Sequence, residues 1–250
     1  MTDPQNLRKT HRARVFALHT CDVKSWMRVR ALGDSASVMR RDDRVEPVRD
    51  EVLSWVDRVA NAMDAVAGRR ASDSPITDAL TRAPSVVSFA REGATVRDVT
   101  EQQVARALAD GVDLALIMAG THELVAGRST PERPADQVDG AVARLRSAGS
   151  DVVLISVVAA SSKIAPRRMI ERSAEFTSEL WWIARARGAT VVDAWSIPHV
   201  RARPAGAVER VTLDAVGHRL LARRVIETLG VPYRDGLAEA LSGAASRLPG

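Results

Sequence analysis

The sequence predicts an α/β fold, a three-layer α/β/α arrangement around a central parallel sheet of about five strands. Three observations carry this. Short apolar runs alternate with longer amphipathic stretches along most of the chain. Two of those runs, V-D-L-A-L-I-M-A at 112–119 and D-V-V-L-I-S-V-V-A at 151–159, are apolar almost throughout, as strands covered on both faces must be. Glycines close the helical stretches at Gly149, Gly188 and Gly230.

The elements follow in order. Residues 28–32 alternate polar and apolar into Gly33-Asp34-Ser35, which suits the end of a first strand. A helix is expected over 47–67, with Val52, Val56, Val59 and Met63 on one face around Trp55, and a surface loop over 69–83. A strand at 84–90 and a helix at 95–108 come next, then the strand at 112–119 and a helix at 134–148. The strand at 151–159 precedes a long helix at 167–187 and a last strand at 190–195. A helix at 214–229 closes the series, broken by Gly230-Val231-Pro232. Residues 1–26 read as a flexible extension, 27–233 as one domain and 234–250 as a peripheral tail.

Composition narrows the function classes. The net charge of +5 comes from arginine, with lysine only at Lys9, Lys24 and Lys163. The arginines are spread among acids, as in R-R-D-D-R at 40–44, without the stacking aromatics that a nucleic-acid surface needs, so no nucleic-acid partner is expected. Cys21 is the only cysteine, which excludes an internal disulfide. No apolar run is long enough to span a membrane, and the N-terminal residues lack the apolar segment and cleavage site of a secretory signal, so a cytoplasmic location is expected. There is no phosphate loop, no dinucleotide fingerprint and no metal-ligand spacing; no cofactor and no metal are expected.

Right-handed crossovers place the C-terminal ends of parallel strands on one edge, where such folds hold their sites. Asp34 and Ser35 follow the first strand; Arg91, Glu92 and Gly93 follow the second; Gly120-Thr121-His122-Glu123 follows the third. Asp193, Ser196 and His199 follow the fifth, and E-R-V-T-L-D-A-V-G-H at 209–218 leads into the closing helix. Asp34 and Ser35 fit either a nucleophile site or a simple helix cap.

In their order, G-D-S, the isolated glycine, G-T-H-E and E-R-V-T-L-D-A-V-G-H-R-L-L-A resemble the sequence blocks of the SGNH (GDSL-type) hydrolases. The resemblance runs from about Met27 to Val231. It implies a flavodoxin-like SGNH hydrolase fold and ester hydrolysis through an acyl-enzyme. Ser35 matches the nucleophile, and Ser35 and Gly93 match the positions whose backbone N–H groups hold the oxyanion.

Two blocks depart from the family pattern. The third normally reads Gly-x-Asn-Asp, its asparagine being a third oxyanion donor; His122 stands at that position. The last normally reads Asp-x-x-His, the histidine being the general base; Glu209 and Thr212 stand there, and a threonine hydroxyl is no base near neutral pH. Of the five histidines, His11 and His19 lie in the extension, His199 reads as a surface residue and His218 as a packing residue of the closing helix. His122 is left with two readings. Either it forms a rewired pair with Ser35, oriented by Glu123 or Glu209, or it only fills the space of the missing asparagine. Asp34, Thr121, Glu123 and Thr212 are expected to line the substrate pocket around the catalytic set Ser35, Gly93, His122 and Glu209. Trp181 and Trp182 read as one core ring and one surface ring.

Two functions stay open at this point. One is an SGNH-type serine hydrolase acting on an ester or acyl group of a small molecule. The other is a catalytically degenerate relative that keeps the fold and binds a ligand or partner.

Overall fold

The computed structural model describes residues 26–38, 53–73, 83–126, 130–157, 167–197, 200–205 and 208–232. Five parallel strands, β1 (Arg28–Gly33), β2 (Ser85–Ser88), β3 (Leu114–Met118), β4 (Asp151–Ile155) and β5 (Thr190–Val192), form one sheet in the order β2-β1-β3-β4-β5. The strand order reverses between β1 and β3, so the carboxyl ends of those two strands flank the crevice where ligands bind in this class of sheet.

Burial on both faces explains the continuous apolar runs. On β3, Leu114, Leu116 and Met118 point to one layer and Ala115 and Ile117 to the other, with all five fully or almost fully buried. The first layer is completed by α1 (Trp55–Asp73) and α6 (Ala215–Thr228), through Val56, Val59 and Met63 and through Leu221, Val225 and Ile226. The second is made by α2 (Val104–Asp110), α4 (Glu132–Ser147) and α5 (Arg167–Arg187), through Ala107, Val142, Leu145, Phe176 and Leu180. The α/β three-layer arrangement predicted from the pattern is the one observed.

Helix starts are set locally. Ser54 and Asp57 form a reciprocal cap at the head of α1: Ser54 N donates to Asp57 Oδ2 at 2.9 Å, and Asp57 N donates to Ser54 Oγ at 3.2 Å. Thr95 and Asp98 repeat the device ahead of α2, at 2.9 and 3.1 Å. Asp214 caps α6 by accepting from Gly217 N at 2.8 Å. The described helices include none long and apolar enough to cross a membrane.

The structure departs from the sequence reading in several places, one being that Trp181 and Trp182 are both exposed rather than one core ring and one surface ring. The first helix is described from Trp55 and continues to Asp73, so 69–73 is helical rather than loop; residues 47–52 and 74–82 lie outside the described residues. The helix expected at 95–108 contains a π-helical segment, Asp98–Gln103, before α2. A short helix, α3 (Thr121–Ala126), follows β3, and an antiparallel hairpin, β6 (Val200–Ala205) with β7 (Val208–Leu213), precedes α6. Trp26, counted with the extension, is tied to the sheet through Nε1, which donates to Asp151 Oδ2 at 2.9 Å. Residues 1–25 and 233–250, and with them Cys21, His11 and His19, lie outside the described residues, as does His199.

His218 holds the two helices of the first layer together. Its ring is fully enclosed, and Nδ1 accepts from Trp55 N at 3.2 Å, which satisfies one of the open N–H groups at the head of α1. Burial, reinforced by the Arg58 charge, pushes its pKa down from 6.5 to about 4. The unfolded chain therefore takes up this proton more readily than the folded one, and stability falls as pH drops from about 6.5 towards 4. The loss from this group alone is on the order of 3 kcal/mol. His218→Asn keeps an acceptor for Trp55 N but does not titrate. Urea unfolding at pH 7 and pH 4.5 should show wild type losing clearly more stability than the variant; equal losses would contradict the assignment.

Candidate active site

The site grows from the end of β1. Gly33 is the last residue of that strand, and a Cβ there would lie 2.5 Å from Ser37 Oγ and 2.7 Å from the Met118 carbonyl oxygen, so only glycine fits. The chain then turns through Asp34 into a single 3-10 turn, Ser35–Ser37, which presents Ser35 half-buried at the sheet edge. After β2, a turn from Arg91 to Ala94 carries Gly93 at φ +73°, a left-handed conformation that side chains disfavour. Gly93 N donates to Ser35 Oγ at 2.9 Å.

Asp34 fastens this turn to the start of α3. One carboxylate oxygen accepts from Ala36 N at 3.0 Å and the other from Thr121 N at 3.1 Å. Its residue is 1% exposed. Burial pushes the Asp34 carboxyl up to about 6, against the two backbone N–H groups that hold it down and with the Glu123 carboxylate nearby adding to the rise. Glu123 Oε1 accepts from Val96 N at 2.7 Å, which links α3 to the helix behind Gly93. Asp34 thus spends both oxygens, and Glu123 its Oε1, on backbone donors; Asp34 and Thr121 are buried and Glu123 is half-buried.

His122 is half-buried, the second residue of α3 and the neighbour of the Thr121 held by Asp34. Among the described residues no hydrogen bond joins Ser35 to an imidazole. The hairpin closes over the site: β7 packs against both the Ser35–Ser37 turn and α3. Thr212, 8% exposed, pairs with Arg201 in the hairpin ladder, and Glu209 pairs with Pro204. The structure brings together Ser35, Gly93, Asp34, Thr121 and the α3 segment bearing His122, with β7 packed against them; the side chain of Glu209 lies outside the described residues. No group of three or more His, Cys, Asp or Glu side chains that could hold a metal ion is present among the described residues.

One residue of this neighbourhood was missed in the sequence. Gln103, 7% exposed, donates from Nε2 to the Gly33 carbonyl at 3.0 Å and accepts at Oε1 from Gly33 N at 2.8 Å. The available signal was an amide on the buried side of a helix, among Val96, Val99 and Ala107.

A family model for the GDSL-like lipase/acylhydrolases matches residues 31–220. The chain belongs to that family. Comparison with the curated proteins returned no significant match. Among solved structures, this GDSL-like chain is similar to a lipase/acylhydrolase from Enterococcus faecalis, with 18% identity and a TM-score of 0.60 over 83% of this chain and 99% of that one. A member of the lipolytic G-D-S-L family from Veillonella parvula gives 18% identity and a TM-score of 0.55, over 80% and 97%. A catalytic mutant of an acetylxylan esterase from Geobacillus stearothermophilus, with an aspartate changed to alanine, gives 18% identity and 0.60, over 83% and 97%. A second catalytic mutant of that esterase carries alanine for a histidine three positions later. At these identities the likeness concerns the fold, and the fold is that of the SGNH hydrolases.

The Asp34 clamp has a measurable consequence. Asp34→Ala leaves the Ala36 and Thr121 N–H groups without their acceptor, and each such loss costs about 1–3 kcal/mol. The sign of the pH effect is opposite to that of His218. The folded protein holds the Asp34 proton more tightly than the unfolded chain, so this group's stabilisation is present at low pH and lost as pH rises through about 6. Urea unfolding should show the variant destabilised at both pH 5 and pH 7, with a smaller gap to wild type at pH 7. An unchanged midpoint would contradict the clamp.

Proposed function

We propose that this chain is a serine hydrolase acting on an ester or acyl group of a small molecule, with Ser35 as nucleophile. The observation that carries the reading is the 2.9 Å approach of Gly93 N to Ser35 Oγ, which puts a fixed backbone donor beside the atom at which an acyl group would be attached. The family membership supports the same reaction class.

In this scheme Ser35 Oγ bonds to the acyl carbon while its proton passes to the imidazole of His122. The C–O bond to the alcohol then breaks, and the alcohol leaves with that proton. A water molecule repeats the sequence: its oxygen bonds to the acyl carbon, one proton goes to His122, and the acid departs as Ser35 recovers its hydrogen. The N–H groups of Ser35 and Gly93 take the negative charge of each tetrahedral intermediate. In this scheme His122 serves as base because Thr212 cannot. Asp34 and Glu123 position the loops that carry these groups.

A second reading has its own observation. The aspartate and histidine replaced in the Geobacillus esterase mutants stand three positions apart, as do Glu209 and Thr212 here, and Thr212 is buried. A chain without a base at that position would bind a small ester or acyl ligand and turn it over slowly or not at all. Loss of a triad member costs a rate factor on the order of 10⁴ or more.

Reaction with an activated fluorophosphonate and with short-chain p-nitrophenyl esters separates the two. Labelling at Ser35 and turnover abolished in Ser35→Ala, with turnover in His122→Ala lowered by roughly 10² or more, are the expected results. No labelling, and turnover no higher than that of Ser35→Ala, would sink the hydrolase reading. Labelling and turnover unaffected by His122→Ala would remove His122 as base.

A further inference from the structure

We propose that Gln103 is a positioning residue that sets the distance between Ser35 and the Gly93 N–H, a role that rests on the hydrolase reading above. The hydrogen bonds around the end of β1 form a closed circuit. From Gly33 the chain reaches Ser35 in two residues; Ser35 Oγ accepts from Gly93 N at 2.9 Å; from Gly93 the chain returns in two residues to Arg91; and Arg91 N donates to the Gly33 carbonyl at 3.1 Å. Gly33 is the corner at which nucleophile turn and glycine turn meet.

The β1–β2 ladder ends at the pair Ala31 and Ser88, and Phe89 N and Arg91 N continue the bonding to Ala31 and Gly33 carbonyls. On that side of β1, Gly33 N meets the Gln103 Oε1 at 2.8 Å. The same amide donates to the Gly33 carbonyl at 3.0 Å, so it grips one residue by both its backbone groups, as a neighbouring strand would. No other described side chain bonds to Gly33.

Gln103 is delivered there by the π-helical segment Asp98–Gln103 that it ends. Each residue in an α-helix turns the side chain by about 100°, so the wider turns of this segment decide whether position 103 meets Gly33 or points elsewhere. The head of the same helix is held by the Glu123 carboxylate at Val96 N. Both ends of the segment are therefore fastened to the site, one to α3 and one to β1.

Two variants test the role in the full chain. Gln103→Met removes both hydrogen bonds at similar volume. Gln103→Glu keeps an acceptor for Gly33 N, but its ionised carboxylate repels the Gly33 carbonyl, and only the protonated acid restores both bonds. Amide hydrogen exchange by NMR and the rate of Ser35 phosphonylation by a fluorophosphonate are measured between pH 5 and 9. In Gln103→Met, exchange at Gly33 and Gly93 should rise about ten-fold while Leu116 and Leu154 stay within about two-fold, and phosphonylation should fall about ten-fold or more. In Gln103→Glu the rate relative to wild type should be near one at low pH and fall as pH rises.

Wild-type exchange at Gly33 and Gly93 in Gln103→Met, or acceleration equal at Leu116 and Leu154, would overturn the proposal. So would a Gln103→Glu ratio that does not change with pH, a comparison that decides the matter if Gln103→Met fails to fold. If wild type itself is not phosphonylated, the hydrolase reading fails, and the exchange pattern alone confirms or overturns the grip on Gly33.

Discussion

The buried carboxylate of Asp34 is the constraint on which the rest of the site depends. Its oxygens bond the N–H groups of Ala36 and Thr121, and so join the turn after β1 to the helix after β3. Enclosing a carboxylate is costly, and the rise of its pKa to about 6 records that cost. Two backbone donors offset part of it, and the return is geometric. With Asp34 fixed, the Ser35 turn is tied to α3, and Ser35 Oγ lies against the Gly93 N–H. The neighbouring Glu123 adds repulsion but secures α3 to the helix beyond Gly93. Two acids within one site thus exchange electrostatic comfort for a fixed arrangement of three loops.

On the proposed reading, the half of the site made of backbone is kept and the half made of side chains has changed. A glycine N–H at φ +73° depends only on chain conformation, and the strand order places it beside Ser35. A general base depends on one imidazole at one position, and on the proposed reading the buried Thr212 of β7 stands at that position. The hairpin that carries Thr212 packs on both the Ser35 turn and α3, so the segment retains its place as the cover of the site whatever its chemistry. That leaves His122, on the helix fastened by Asp34, as the imidazole nearest in the chain to the clamp.

The legible parts of the sequence were those in which one residue answers to one environment. Leu114 to Met118 are apolar because both faces of β3 are covered, and the run announces the strand. Gly33 stands where no Cβ fits, and its place at the end of the first strand could be read from the residues; Gly93, at φ +73°, was placed by the resemblance. The hairpin could not: Pro204 and three arginines obscure its alternation, and its strands pair with each other rather than with the main sheet. The local cap from Asp34 to Ala36 N was legible, but its bond to Thr121 N and the roles of Glu123 and Gln103 escaped, because these act on backbone groups far away in the chain. A carboxylate or amide in a one-dimensional sequence looks the same whether it meets substrate or a distant N–H.

The most direct measurement is a crystal structure of the chain after reaction with a fluorophosphonate. The expected adduct is on Ser35 Oγ, with one phosphonyl oxygen within about 3 Å of Gly93 N, in place of the resting bond from Gly93 to the hydroxyl. An adduct whose oxygens point away from Gly93, or a chain recovered without any adduct at Ser35, would contradict a site built to hold an oxyanion between these two turns.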